Sequence, residues 1–300
     1  MKSSKAGTLS SYAGQLGLRF KALRVHRECR SIYTTLGSAS AARFIPSIRV
    51  DHYYPWLFLD DLPIKSNREL RELAVANVLL SDFVLGTLRA LRATGPVEEE
   101  NKVEIYRSVM KLGNHRLDCL LGNDPVFQNG RQRILEEQIS ALIVEQELIG
   151  HNCVITDVEA EKHATQKSAY LKVTLLALGQ LSGDAERAEL LIRAQAQFSI
   201  AFDLYNSLIS WRTDLPIYPA NRVLAMAHSE GYSINDVNQC AEAIYQSHLM
   251  DRVFELIFNA CRAAQAYDYA SHHFRLIIQW LIERTEKLHS DLLAIRKRGE

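Results

Sequence analysis

The chain has no long hydrophobic run. No stretch of about eighteen consecutive apolar residues occurs, which predicts no membrane-crossing helix. The first residues lack the apolar block of a secretory signal. The five cysteines, at 29, 119, 153, 240 and 261, include no CxxC pair. An odd, dispersed set reads as reduced thiols in a cytoplasmic protein. Net charge is missing as well: 35 Lys and Arg balance 35 Asp and Glu, so no global field draws the chain to nucleic acid. Strand-type alternation and short solenoid repeats are also absent, which excludes a sheet-based or repeat architecture.

What is present is helical periodicity. Three hundred residues with 47% hydrophobic content bury a substantial core, as one large or two moderate domains. Amphipathic stretches recur from end to end, so the expected class is all-α. The N-terminal segment, residues 1–45, is basic and partly flexible; residues 46–300 form the expected all-α domain. From Met1 to Arg49 nine basic residues face one acid, Glu28. Within this segment Leu16–Tyr33 is a basic helical stretch, which reads either as a peripheral membrane contact or as a solvated face packed on the domain.

Further along, Pro55 and Pro63 break the aromatic stretch Asp51–Pro63, so Asp60 and Asp61 read as a turn or cap rather than a metal pair. A capping pattern at Ser66 and Glu69 opens a helix to Arg92. Further helices are expected over Val103–Leu121, Gly130–Ile149 and Val158–Leu181, and one from about Asp184 to Asp214. The spacing then predicts Val237–Ala266 and Tyr267–Lys297, with a short helix inside Tyr218–Gly231. Glu137, Glu145, Glu147, His151, Glu159 and His163 invite a di-iron reading, but no Glu-x-x-His spacing occurs among them.

The most informative stretch is Phe202–Pro216, FDLYNSLISWRTDLP. On a helical wheel Ser199, Asp203, Asn206, Ser210 and Asp214 fall in one stripe on an otherwise apolar helix. A stripe of oxygen-bearing side chains points to an internal site. Asn206, Ser210 and Asp214 offer an amide oxygen, a hydroxyl and a carboxylate, hard donors suited to Mg2+.

The segment Asn206 to Asp214 resembles the second metal motif of class I terpene synthases. The ending Trp211-Arg212-Thr213-Asp214-Leu215 is similar to the close of that motif in bacterial isoprenyl synthases. Upstream, Lys167-Ser168-Ala169-Tyr170-Leu171 resembles the segment that family places on the diphosphate. Ser210 stands where an aspartate is frequent, Asp214 replaces the usual Glu, and Ser207 replaces the usual second Asp. The counterpart of the first aspartate-rich motif is Ser81-Asp82-Phe83-Val84-Leu85-Gly86, with one acid where several are usual.

The resemblance implies a single-domain, class I isoprenoid-synthase-like helical bundle around a central apolar cavity. It implies Mg2+ on Asp82, Asn206, Ser210 and Asp214, which would then be catalytic. Lys167, Arg89, Arg212 and Arg275 would bind the diphosphate, with Arg275 and Tyr269 either as a late Arg–Tyr pair or as packing. The implied activity is a terpene synthase or cyclase that ionises a sesqui- to sesterterpene-sized allylic prenyl diphosphate to a hydrocarbon or alcohol. Prenyl transfer to an acceptor is one alternative. The single acid at Asp82 motivates another, a non-catalytic binding or regulatory subunit. A homodimer is compatible with the family's fold.

Overall fold

The computed structural model describes residues 4–36, 49–92, 99–151, 156–216 and 221–299. Among them the chain is all-α, without a strand. The helices are α1 (Ser4–Thr35), α2 (Asn67–Arg92), α3 (Glu99–Leu121), α4 (Pro125–His151), α5 (Asp157–Lys167) and α6 (Ala169–Ser182). They continue with α7 (Ala185–Asp214), α8 (Arg222–Ser229), α9 (Val237–Tyr245), α10 (Leu249–Gln265) and α11 (His272–Gly299). Two 3-10 turns, Val50–His52 and Tyr54–Phe58, lie between α1 and α2. Among the described residues no helix is long and apolar enough to cross a membrane.

The chain forms two compact units: Met1–Arg131 with Val173–Ala188, and Gln132–Lys172 with Glu189–Glu300. In the first, α2 is the innermost element. Every residue from Leu73 to Asp82 is buried, the expectation for a helix enclosed on all sides. α1 covers it with Ala22, Val25, Cys29 and Tyr33, all buried. The 3-10 turns add Tyr54, Leu57 and Phe58. Helix α3 crosses closely: a Cβ built on Gly86 of α2 would overlap the Tyr106 ring. Gly113 of α3 leaves so little room that a Cβ would lie 3.3 Å from Leu79 and 3.4 Å from the Ala76 carbonyl.

In the second unit α7 buries Ala201, Leu204 and Trp211, and α10 packs against α11 through Val253, Phe254, Ile257, Ile278 and Leu281. The Phe254 and His289 rings lie 4.6 Å apart across that pair.

Two long periodic stretches are each broken once. Val158–Leu181 divides at Ser168, whose hydroxyl donates to the Ala164 carbonyl at 3.2 Å and to Ser199 at 2.7 Å. A serine that bonds the backbone locally competes with helix continuation. Val237–Ala266 divides at Gln246–His248, where the Ser247 hydroxyl accepts the Leu249 N–H at 3.1 Å. Arg296 of α11 clamps this break, donating to the Tyr245 and Ser247 carbonyls and to Asp251. Gly122 and Gly183 take positive φ, 67° and 76°, and end α3 and α6 as the turn residues predict. Asp60 and Asp61 lie in a turn, and Asp61 is 3.7 Å from Arg187.

Filling the α2–α3 crossing is expected to be costly. Gly86→Ala forces the Tyr106 ring aside and should destabilise the chain by about 1–3 kcal/mol. Gly17→Ala, which meets open space, should not. Chemical denaturation of the two variants measures the difference.

Candidate functional site

The stripe on α7 is half-buried, and each described member except Asn206 is engaged by protein. Ser199 accepts from Ser168 at 2.7 Å and from the Gln195 amide at 3.2 Å. Asp203 lies 3.3 Å from the Lys167 ammonium. Ser210 donates to the Asn206 carbonyl at 2.8 Å and to Asp214 Oδ2 at 2.5 Å. Asp214 Oδ2 also accepts from the Asn221 amide at 2.9 Å. That same amide donates to the Ser207 carbonyl, while Asn221 Oδ1 accepts the Leu224 N–H at 3.1 Å and caps α8. Asp214, Ser210 and Asn221 thus join the end of α7 to the start of α8. Phe202 and Ile209, on the apolar side of the wheel, are exposed.

Lys167, at the last turn of α5, sits between two carboxylates: Glu145 at 3.4 Å and Asp203 at 3.3 Å. Glu145 is fully buried on α4, where an ionised carboxylate requires a counter-charge. His163, one turn before Lys167, donates from Nε2 to the Ala141 carbonyl at 3.1 Å. Burial first, then the Lys167 charge, push this imidazole below its ordinary range; Glu145 and Asp203 oppose them. Neutral His163 leaves the two carboxylates to Lys167.

Arg222, the first residue of α8, is a buried cation that periodicity did not single out. Its side chain is 4% exposed, and among the described residues none of its three guanidinium nitrogens has a hydrogen-bond partner. Glu161 of α5 approaches one of them only to 3.5 Å. The backbone N–H of Arg222 donates to Ser207 Oγ at 3.3 Å. A sequence signal existed: a cation in the first turn of a helix opposes the macrodipole, and Arg222 directly follows the Asn221 cap. Arg212 is exposed and stacks over Trp211 at 5.1 Å. Arg275 and Tyr269 do meet: the guanidinium lies 4.9 Å from the ring centroid and donates to the Tyr269 carbonyl. A cavity of about 490 Å3 opens between α10 and α11, lined by Phe258, Arg262, Ile282, Glu286, His289 and Leu293. None of the residues expected from the sequence lines it.

Asp82 belongs to the first unit, on α2. Its Oδ1 accepts from Arg49 at 2.5 Å and its Oδ2 from the Tyr33 hydroxyl at 2.8 Å. Arg49 also reaches Asp51 at 3.1 Å. Asn77 and Ser81, one turn apart on the same helix, both serve Asp51: Ser81 donates to its carboxylate and Asn77 to its carbonyl. Thr174 then donates to Asn77 at 2.7 Å. Burial pushes the Asp82 carboxyl above its ordinary range, opposed by Arg49 and Tyr33. The Tyr33 hydroxyl is driven upward by burial and by Asp82. Arg49 and Asp51 flank a buried aromatic stretch, where charged side chains must pair. The Arg89 side chain lies outside the described residues.

Among the described residues no group of three or more His, Cys, Asp or Glu side chains converges as a metal site. At the end of α7 one carboxylate, Asp214, stands with the neutral oxygens of Asn206 and Ser210. These are hard donors of the kind Mg2+ takes, but Ser210 already bonds one Asp214 oxygen, which Asn221 also bonds.

Beside the Asp82 network buried His52 meets half-buried His26. His52 Nδ1 lies 3.2 Å from the Arg49 N–H and 3.3 Å from the Arg49 carbonyl, and its Nε2 lies 3.4 Å from His26 Nδ1. Burial, then the Arg49 charge, lower the His52 pKa to about 4. The unfolded chain, with an ordinary histidine, therefore binds more protons below neutrality. The stability this group contributes is complete above about pH 6.5 and is lost as pH falls toward 4. Going from neutral pH to pH 5 should remove about 2 kcal/mol. His52→Asn should flatten that slope in urea titrations at stepped pH.

No protein-family model matches the chain, and no curated protein matches it.

Proposed function

We propose that this protein is an isoprenoid-synthase-like binding or regulatory subunit that holds a prenyl diphosphate without ionising it. The observation that carries this reading is the engagement of both Asp82 oxygens by Arg49 and Tyr33. In the family the chain resembles, ionisation depends on aspartates that gather Mg2+ around the leaving group. Here the one acid of the first motif already has a guanidinium as its counter-ion. Binding, in this reading, falls to the cations of the second unit. Arg222 offers buried donors that have no hydrogen-bond acceptor among the described residues, with Glu161 as an ion-pair partner at 3.5 Å. Lys167 exchanges part of its pairing with Glu145 and Asp203 for the diphosphate, and exposed Arg212 adds charge. Guanidinium groups suit phosphate oxygens because their donors are fixed in a planar fork.

The second reading is a Mg2+-dependent terpene synthase or, with an acceptor, a prenyltransferase. It is favoured by the Asn206–Ser210–Asp214 set, where Mg2+ would neutralise charge developing on the diphosphate as the allylic bond breaks. In both readings Asp214 and Arg222 matter, but differently.

Calorimetry with farnesyl diphosphate, with and without Mg2+, and product analysis by gas chromatography separate the two. The binding reading expects affinity without metal, no hydrocarbon or alcohol, and at least tenfold weaker binding in Arg222→Met. The same variant should be about 1–3 kcal/mol more stable, because it removes buried donors without acceptors. A terpene product that disappears in Asp214→Ala would overturn the binding reading in favour of the synthase. Absence of both binding and product would sink the two together.

A further inference from the structure

The outward face of α1 has a composition unlike the rest of the surface. With about 3.6 residues per turn, Ala22, Val25, Cys29 and Tyr33 fall on the buried side of this helix. Phe20 stands opposite them, 66% exposed, at the middle of the solvent face. Around it, also exposed, are Leu23, Arg19, Arg24, Arg27 and Arg30. The one acid in this part of the helix, Glu28, turns aside and pairs with Arg116 at 3.0 Å and Arg71 at 3.6 Å, both in the first unit. Among the described residues no carboxylate pairs with Arg19, Arg24, Arg27 or Arg30. Lys21, at the flank, lies over the Trp56 ring at 5.5 Å.

Structural duty does not explain this face. Among the described residues these arginines make no ion pair, and an aromatic ring held in water at the centre of a cationic stripe forfeits its burial energy. We propose that the outward face of α1 docks on an anionic lipid surface, with Phe20 and Leu23 entering the headgroup boundary and the arginines resting on lipid phosphates. The geometry matches that of interfacial helices, in which an apolar centre sinks while long basic side chains reach sideways to the headgroups. The convex face of a single helix suits a plane. Duplex nucleic acid would use the arginines but leave Phe20 without a role. The face lies on the first unit and needs no diphosphate, so it stands or falls apart from the ligand reading above.

Flotation of the full chain with phosphatidylcholine vesicles, with and without phosphatidylserine, tests the proposal. Association is expected only with phosphatidylserine, and raised salt should weaken it. Arg24→Gln and Arg27→Gln should each weaken it about fivefold, and Phe20→Ala about tenfold. These side chains are exposed, so the variants should unfold like the parent chain, and circular dichroism checks that they do. Tryptophan at Phe20 should shift to the blue when anionic vesicles are added. No association, equal association with neutral vesicles, or undiminished association in Phe20→Ala would each overturn the proposal. So would tighter binding to duplex DNA than to vesicles at the same salt.

Discussion

The first unit depends on how its innermost helix disposes of three polar side chains. Asn77, Ser81 and Asp82 lie within a run of ten buried residues on α2. Burying a carboxylate costs several kcal/mol unless a counter-charge and hydrogen bonds accompany it. The chain answers with Arg49, which spans Asp51 and Asp82, and with Tyr33, which closes the second oxygen. Since Tyr33 lies on α1 and Arg49 caps a 3-10 turn, satisfying Asp82 fixes two other segments against α2. Apolar packing alone tolerates small slides between helices; this network resists them, because a slide would lengthen the Tyr33 and Arg49 bonds to a buried carboxylate. Burial keeps His52 neutral, and the same arginine adds to the effect.

The second unit handles charge in two opposite ways. Around Lys167 acids outnumber the cation: two carboxylates share one ammonium, and burial holds the adjacent imidazole below its ordinary range. At Arg222 the balance is open, with a buried guanidinium whose nearest carboxylate stays at 3.5 Å. A fold selected for stability alone would place methionine or leucine there. An arginine kept in such a position bears a cost in the free protein that an anionic ligand would offset, which adds to the support our binding proposal takes from Asp82.

Much of the fold was legible in the sequence because helix periodicity is local. The Ser66–Glu69 cap, the turns at Gly122 and Gly183, and the long helix ending at Asp214 can be read within a few residues of each. The break at Ser168 was not, because its hydroxyl completes its bonding with Ser199, 31 positions away. The same limit applied to the site. The stripe on α7 was correctly placed on one helix, yet whether its oxygens are available for a metal depends on Asn221 and Lys167. Asp82 was visible as the one acid of its segment. Arg49, 33 positions earlier, was visible only as one charge in a basic segment, since nothing local ties it to α2.

Carboxylate supply constrains the chemistry more than the resemblance does. Phosphate leaving groups are stabilised by positive charge, which a protein supplies through metal ions held by acids or through its own cations. In the second unit the acids near the α7 stripe are Asp203, already matched to Lys167, and Asp214, one of whose oxygens is matched to Ser210 and Asn221. One partly engaged carboxylate holds divalent ions weakly. The cations there are Lys167, Arg212 and Arg222, and the last is permanently charged. Fixed cations stabilise a bound diphosphate before and after bond cleavage alike, and uniform stabilisation lowers no barrier. On our proposal, a site built this way would hold a diphosphate rather than expel it.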